Sequence, residues 1–209
     1  MEPLRRIAKA AEWGKMWQAY VAARTAVELA ARAVVEMSLP RPDRCEDLPK
    51  ALAGSLLGVE DADKLARVVK AAKELHKTQD VKAAERVAVD ALELAEKLLK
   101  SIRRRYPAVE AKEGLRYALK AAGAKAAYSI GTGAVAVRAE RALSLEEKIR
   151  LAADLSAEMG VPPERLVVSD VSEPGVLERV VKEGRIIYAE DLDEEIEWLA
   201  EKYIDYICC

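Results

Sequence analysis

The chain predicts a helical bundle followed by a small mixed α/β domain, and three observations carry that prediction. Apolar residues recur at helical spacing from Ile7 to Ile102. After Tyr106-Pro107 the pattern changes to short apolar runs alternating with helical segments. Apolar residues make up 51 % and charged residues 33 % of 209 positions, enough for one large core or two small ones. The expected domains are 1–107, an antiparallel helical bundle, and 108–209, a small mixed α/β domain.

In the first half, Ile7, Ala10, Ala11, Gly14, Trp17, Val21 and Ala22 mark an apolar stripe. It continues through Val27, Ala30, Ala31, Val34 and Val35 and stops at Leu39-Pro40-Arg41-Pro42, where proline removes donors and biases its neighbours out of helix. Asp47-Leu48-Pro49 restarts a short helix with an acidic cap and an early proline, fading near Gly54 or Gly58. Asp61 to His76 and Val81 to Arg105 read as two more helices, with Leu65, Val68, Val69, Ala72 and Leu75, then Val87, Ala91, Leu94, Ala95, Leu98 and Ile102, facing inward.

In the second half, Glu113 to Ala122 reads as a helix stopped by Gly123. Ala126–Ile130 and Ala134–Val137 read as strands of a hairpin around Gly131-Thr132-Gly133. Ser144-Leu145-Glu146-Glu147 is a capping box that opens a helix running to Met159. A strand at Leu166–Val168, a helix at Pro174–Lys182 and a strand at Arg185–Tyr188 follow, and Asp191 opens a last helix through Trp198, Tyr203 and Ile207.

A net charge of -2 gives no electrostatic case for general nucleic-acid binding, which leaves local patches. No apolar run approaches the roughly 20 residues of a membrane span, and the cytosol is the expected location. There is no Asn, and Gln is scarce beside abundant ion-pairing residues, a composition that suggests a thermophile. Cys45, Cys208 and Cys209 lack paired C-x-x-C spacing, which argues against structural zinc. Cys208-Cys209 reads either as a redox-sensitive tail or intermolecular disulfide, or as an apolar end to the last helix. The bare count of cysteines favours the second.

Gly131-Thr132-Gly133 is a candidate phosphate-cradling turn, since glycine admits close backbone approach and N–H groups and the hydroxyl bind anionic oxygens. Nucleotidyl transfer at such a turn also needs carboxylates for Mg²⁺. Between Gly133 and Leu143 the only acid is Glu140.

Leu166-Val167-Val168-Ser169-Asp170-Val171, then Leu177, Val180 and Glu183-Gly184-Arg185-Ile186-Ile187-Tyr188, resembles the end of minimal nucleotidyltransferase domains, and Tyr128 to Thr132 falls where that family has its strand and Gly-Ser turn. The resemblance spans about residues 110 to 192. It implies an Asp-x-Asp pair that this chain lacks, Arg141 and Ala142 following Glu140, and a third acid whose place is taken by Val167, with Asp170 nearest. The implied domain is a degenerate transferase without a metal set, so no cofactor is expected; Mg-nucleotide is not supported by the carboxylates.

Trp13 and Tyr20, the run Ala23-Arg24-Thr25-Ala26-Val27-Glu28-Leu29-Ala30, and Asp47-Leu48-Pro49 with Leu52 resemble a HEPN domain over about residues 8 to 105. The two domains commonly occur together as toxin–antitoxin partners. The resemblance therefore implies a non-catalytic fusion that acts by binding nucleotide, RNA or a protein partner, and a homodimer through its helical half, with no membrane role. Active HEPN ribonucleases carry an Arg four to six residues before a His. Here Lys70 stands at one permitted spacing before His76, and Thr78 replaces the following Tyr. A metal-independent ribonuclease centred on His76 with Lys70 is the alternative; a polar residue at a helix C-terminus is the plainer account. Arg103-Arg104-Arg105 reads as a phosphate contact or as a cationic helix end, and Trp13, Trp17 and Tyr20 as a base-stacking face or as core or dimer interface.

Overall fold

The computed structural model describes residues 2–77, 80–102 and 112–208, and within them every side chain but that of His76. Arg103–Arg105, the segment 106–111, Thr78 and Cys209 lie outside the described residues. The chain divides into two compact units, Met1–Pro107 with Tyr203–Cys209, and Ala108–Lys202. Among the described residues there are nine α-helices and a single four-stranded mixed sheet. None of these helices is long and apolar enough to cross a membrane.

In the first unit, α1 (Glu2–Ala10) buries Ile7 and Ala10. The apolar stripe does not run on as one helix: a 3₁₀ turn at Ala11–Trp13 and Gly14 interrupt it, and α2 (Lys15–Glu36) begins anew. Thirteen of the 22 residues of α2 are buried, seven of them alanines from Ala19 to Ala33. Small side chains over most of its circumference make α2 the central helix, because neighbouring backbones can approach it from several sides. It packs most extensively on α5 (Val81–Ile102) and then on α4 (Val59–Glu74). Asp80 opens α5 by accepting the N–H groups of Lys82 and Ala83 at 3.0 and 3.1 Å. The short α3 (Leu48–Leu52) buries Leu48 and Leu52, but Asp47 does not cap it as expected; its carboxylate pairs with Lys50 at 3.1 Å.

The end of the last helix corrects two expectations. Tyr203–Cys209 groups with the helical unit, not with the α/β unit. Cys208 is no mere apolar end: it forms a disulfide with Cys45, 163 positions away, with Cα atoms 5.2 Å apart. Tyr203, fully buried, donates its hydroxyl to the Pro42 carbonyl at 2.8 Å. The proline-rich segment that ends the second helix is therefore what receives the final turns of the chain.

In the second unit, β1 (Ala124–Ile130) and β2 (Ala134–Ala139) form the expected hairpin, with Ile130 opposite Ala134. β3 (Val167–Asp170) lies parallel to β2, and β4 (Arg185–Ala189) antiparallel to β1, giving the order β3-β2-β1-β4. A parallel pair needs a crossover, which α7 (Leu145–Met159) supplies. Ser144 and Glu147 make both bonds of its capping box, and Gly160 closes it. α6 (Glu113–Ala121) and α7 cover one face of the sheet around Leu119, Ala127, Val137 and Leu155. α8 (Val176–Glu183) joins β3 to β4, and α9 (Leu192–Cys208) starts where Asp191 accepts the N–H of Glu194 at 3.0 Å.

Candidate functional site

The Gly131-Thr132-Gly133 turn connects two paired strands, and β2 follows it directly. The turn therefore does not open a helix, whose first amide groups are one usual source of phosphate affinity. Both glycines have structural reasons. Gly131 holds a φ of 61°, and a Cβ on Gly133 would meet the Arg165 carbonyl oxygen at 2.8 Å. The Gly133 carbonyl accepts the Val167 N–H at 2.9 Å, which ties the turn to the edge strand β3.

The two carboxylates nearest the transferase pattern are engaged elsewhere. Glu140 is exposed and pairs with Lys125 at 3.3 Å. Asp170 is buried. Its Oδ1 accepts the Ser172 N–H and hydroxyl at 2.8 and 2.6 Å, and its Oδ2 accepts the Leu143 N–H at 3.2 Å. Burial raises the Asp170 pKa, and these hydrogen bonds outweigh it and hold the carboxyl below its ordinary value. The residue ties the end of β3 to the loop before α7. Its lone pairs are already committed to the fold, so the carboxylates present do not fit a two-Mg²⁺ site. Among the described residues no group of three or more His, Cys, Asp or Glu is arranged to hold a metal.

In the helical unit, His76 falls in the 3₁₀ turn Leu75–Lys77 after α4, and Lys70 is an exposed residue on α4. Lys73 on the same helix pairs with Glu46, so that cation is not available to a phosphate at His76 without breaking an ion pair.

The aromatic stripe is where the unit presents a surface. Trp13 is 77 % and Trp17 51 % exposed, which sets aside the expectation of core. Trp17 stacks on Tyr20 with centroids 5.5 Å apart. Because the helix breaks at Gly14, Trp13 and Trp17 come from two different elements, yet both line one groove of about 460 Å³ between α1 and α2. Arg6, Lys9 and Arg24 also line it, against one carboxylate, Glu28. Glu28 accepts Arg6 at 2.8 Å and Arg24 at 3.1 Å, and the Tyr20 hydroxyl joins Glu28 in raising the Arg24 pKa. Three cations around one acid leave the groove positive. Sequence reasoning found the aromatic residues but missed the cations, because Arg6 and Lys9 belong to a separate helix and share no periodicity with them.

A second polar cluster is buried in the α/β unit. Arg138 on β2 forks onto Glu195 on α9, with Nε 3.0 Å from Oε2 and 3.1 Å from Oε1, and its guanidinium lies 4.9 Å from the Trp198 ring centroid. Glu195 is 1 % exposed, and burial pushes its carboxyl up to about 7. Tyr128 lies 6.3 Å from Trp198, its buried hydroxyl without a hydrogen-bond partner. The cluster fastens α9 to the sheet.

Comparison of the chain with models of known families, with curated proteins and with solved structures finds no match.

Proposed function

We propose that this chain is a non-catalytic HEPN–nucleotidyltransferase-like fusion, related to toxin–antitoxin modules, that acts by binding single-stranded RNA in the groove between α1 and α2. The single observation that carries the reading is the pairing of two exposed tryptophans with Arg6, Lys9 and Arg24 in one groove. Aromatic faces accept stacked bases without regard to sequence, and cations beside them follow the backbone. Each stacked base contributes about 1–3 kcal/mol, so two rings suffice for measurable affinity. Support for binding over catalysis comes from Asp170, whose oxygens are used by the fold, and from the missing Arg before His76.

The test is fluorescence anisotropy of a labelled single-stranded RNA at low salt. Trp13→Ala and Trp17→Ala should each weaken binding by about fivefold or more, and log affinity should fall with log salt at a slope near −2, as expected for about three phosphate contacts. Unchanged binding in both variants would overturn the assignment. A second reading has its own observation: exposed Trp with Arg and Tyr is also the composition of interface anchors. Sedimentation of the free protein separates the two. A dimer dispersed by Trp13→Asp would identify the groove as the contact between copies.

A further inference from the structure

Two cavities of the helical unit share a wall. Tyr20, Arg24 and Glu28 line the α1–α2 groove, and the same three side chains line a second cavity of about 230 Å³. The rest of that lining includes Lys73 of α4, Cys45, and Ile204, Asp205 and Cys208 from the last turn of α9. The Cys45–Cys208 disulfide thus stands across the cavity from the groove's own residues. Every one of these residues belongs to the helical unit.

The shared wall is part of the groove's machinery. Tyr20 is the ring on which Trp17 stacks. Arg24 is one of the groove's three cations, and Glu28 at 3.1 Å and the Tyr20 hydroxyl hold it. Behind this wall the last turn of α9 is held by a covalent bond. Helix ends open locally at little cost unless they are tied down. Tyr203 is tied through its hydroxyl to the Pro42 carbonyl, and the turn beyond it through the disulfide to Cys45.

We propose that the Cys45–Cys208 disulfide is a redox switch for the α1–α2 groove. Oxidised, it holds the last turn of α9 against Tyr20, Arg24 and Glu28, and the stacking platform is preorganised for RNA. Reduced, that turn leaves the wall, the platform loses its support and affinity falls. Tyr203 stays bonded to Pro42, so the movement is confined to the last turn. The output of the switch rests on the RNA reading given above; the movement does not. The reductant is a dithiol. Its thiolate attacks the sulfur of Cys208, which is half-buried, whereas Cys45 is only 3 % exposed. Cys45 departs as a thiolate into a cavity that Arg24 and Lys73 also line, and neighbouring cations stabilise that form. The second thiol of the reagent then displaces Cys208. The S–S bond has passed from protein to reagent, the reagent is oxidised, and both cysteines end as thiols carrying the dithiol's protons.

The experiment uses the full chain carrying Cys209→Ala, so that Cys45 and Cys208 are its only cysteines. Labelled single-stranded RNA is titrated by anisotropy before and after dithiothreitol, well below the melting point of the reduced chain. Reduction should weaken binding by about fivefold or more, and reoxidation should restore it. The far-ultraviolet dichroism should keep its helical signal throughout. Cys45→Ser in the same chain should bind as the reduced protein does, with or without dithiothreitol. A second readout needs no RNA. With Trp13→Phe and Trp198→Phe, Trp17 is the sole tryptophan, and its bimolecular quenching constant with acrylamide should rise on reduction. Equal RNA affinity in the two redox states overturns the switch. So does loss of the helical signal on reduction, which would mean that the unit unfolds as a whole. If RNA binds in neither state, the groove reading fails by itself and Trp17 decides the switch: unchanged quenching overturns it, and increased quenching upholds it.

Discussion

Gly133 shows how a residue that invites a functional reading can have a structural reason of its own. A hydroxyl residue between two glycines invites a phosphate, yet the carbonyl of Arg165 stands where a Cβ would go. Gly133→Ala should cost about 1–3 kcal/mol, because the clashing atom belongs to the backbone and cannot rotate away. Chemical denaturation of the variant measures this. Glu195 gives a pH prediction. Its folded carboxyl binds a proton more tightly than its unfolded form, which titrates near the ordinary value of 4.5. The folded state therefore holds the extra proton between about 4.5 and 7, and this group's contribution makes stability fall as pH rises through that window. Arg138 opposes the fall by forking onto the carboxylate. Arg138→Met should leave a buried charge without its partner and cost about 3–5 kcal/mol at pH 8, with a smaller loss at pH 5, where Glu195 takes up its proton. Equal losses at both pH values would show that the pair acts only through packing. Tyr128, buried beside this cluster with no partner for its hydroxyl, predicts that Tyr128→Phe is neutral or stabilising, since the change removes an unsatisfied polar atom without changing the ring.

At the scale of elements, the sequence made local grammar legible and long-range pairing opaque. The capping box at Ser144 and Glu147, the stop at Gly160 and the β1–β2 hairpin all rest on residues within a few positions of one another, and each forms as its spacing predicts. The parallel partnership of β3 with β2 has no such local sign, since it depends on how α7 folds back over the sheet. The break between α1 and α2 was hidden for a different reason: Ala11 and Gly14 keep the helical period while the chain leaves the helix. Exposure of Trp13 and Trp17 was equally hidden, because periodicity reports a shared face and not what covers it. The disulfide was the least legible. Three cysteines without paired spacing carry no pairing information, and Cys45 and Cys208 meet only because the last turns of α9 lie against the segment after α2. Closing so long a loop constrains the unfolded chain strongly; a stabilisation of about 2–5 kcal/mol is the expected order. Cys45→Ala should lose that amount in oxidising buffer and nothing in reducing buffer. Mass spectrometry of unreduced, alkylated protein should find the Cys45 and Cys208 peptides joined.

For the whole molecule, the disulfide and the division into two units together specify how the chain should melt. The helical unit takes its residues from both sides of the α/β unit, and the disulfide lies wholly within it. Each unit has its own core, so calorimetry should resolve more than one transition or give a calorimetric enthalpy above the van't Hoff value. The disulfide's stabilisation belongs to one of these transitions. Reductant should lower the melting point of the helical unit by about 10 °C or more, from the conversion of a few kcal/mol into temperature for a unit of this size. The α/β unit should move much less. Tryptophan makes the two separable, because Trp13 and Trp17 belong to the helical unit and Trp198 to the α/β unit. In a Trp13→Phe, Trp17→Phe chain, fluorescence reports only the neighbourhood of Trp198, held between Arg138 and Tyr128. Its melting should keep its midpoint when reductant is added, while the far-ultraviolet dichroism, dominated by the helical unit, shifts down. If both signals shift together, α9, which runs continuously from one unit into the other, transmits the loss, and the protein melts as one cooperative body.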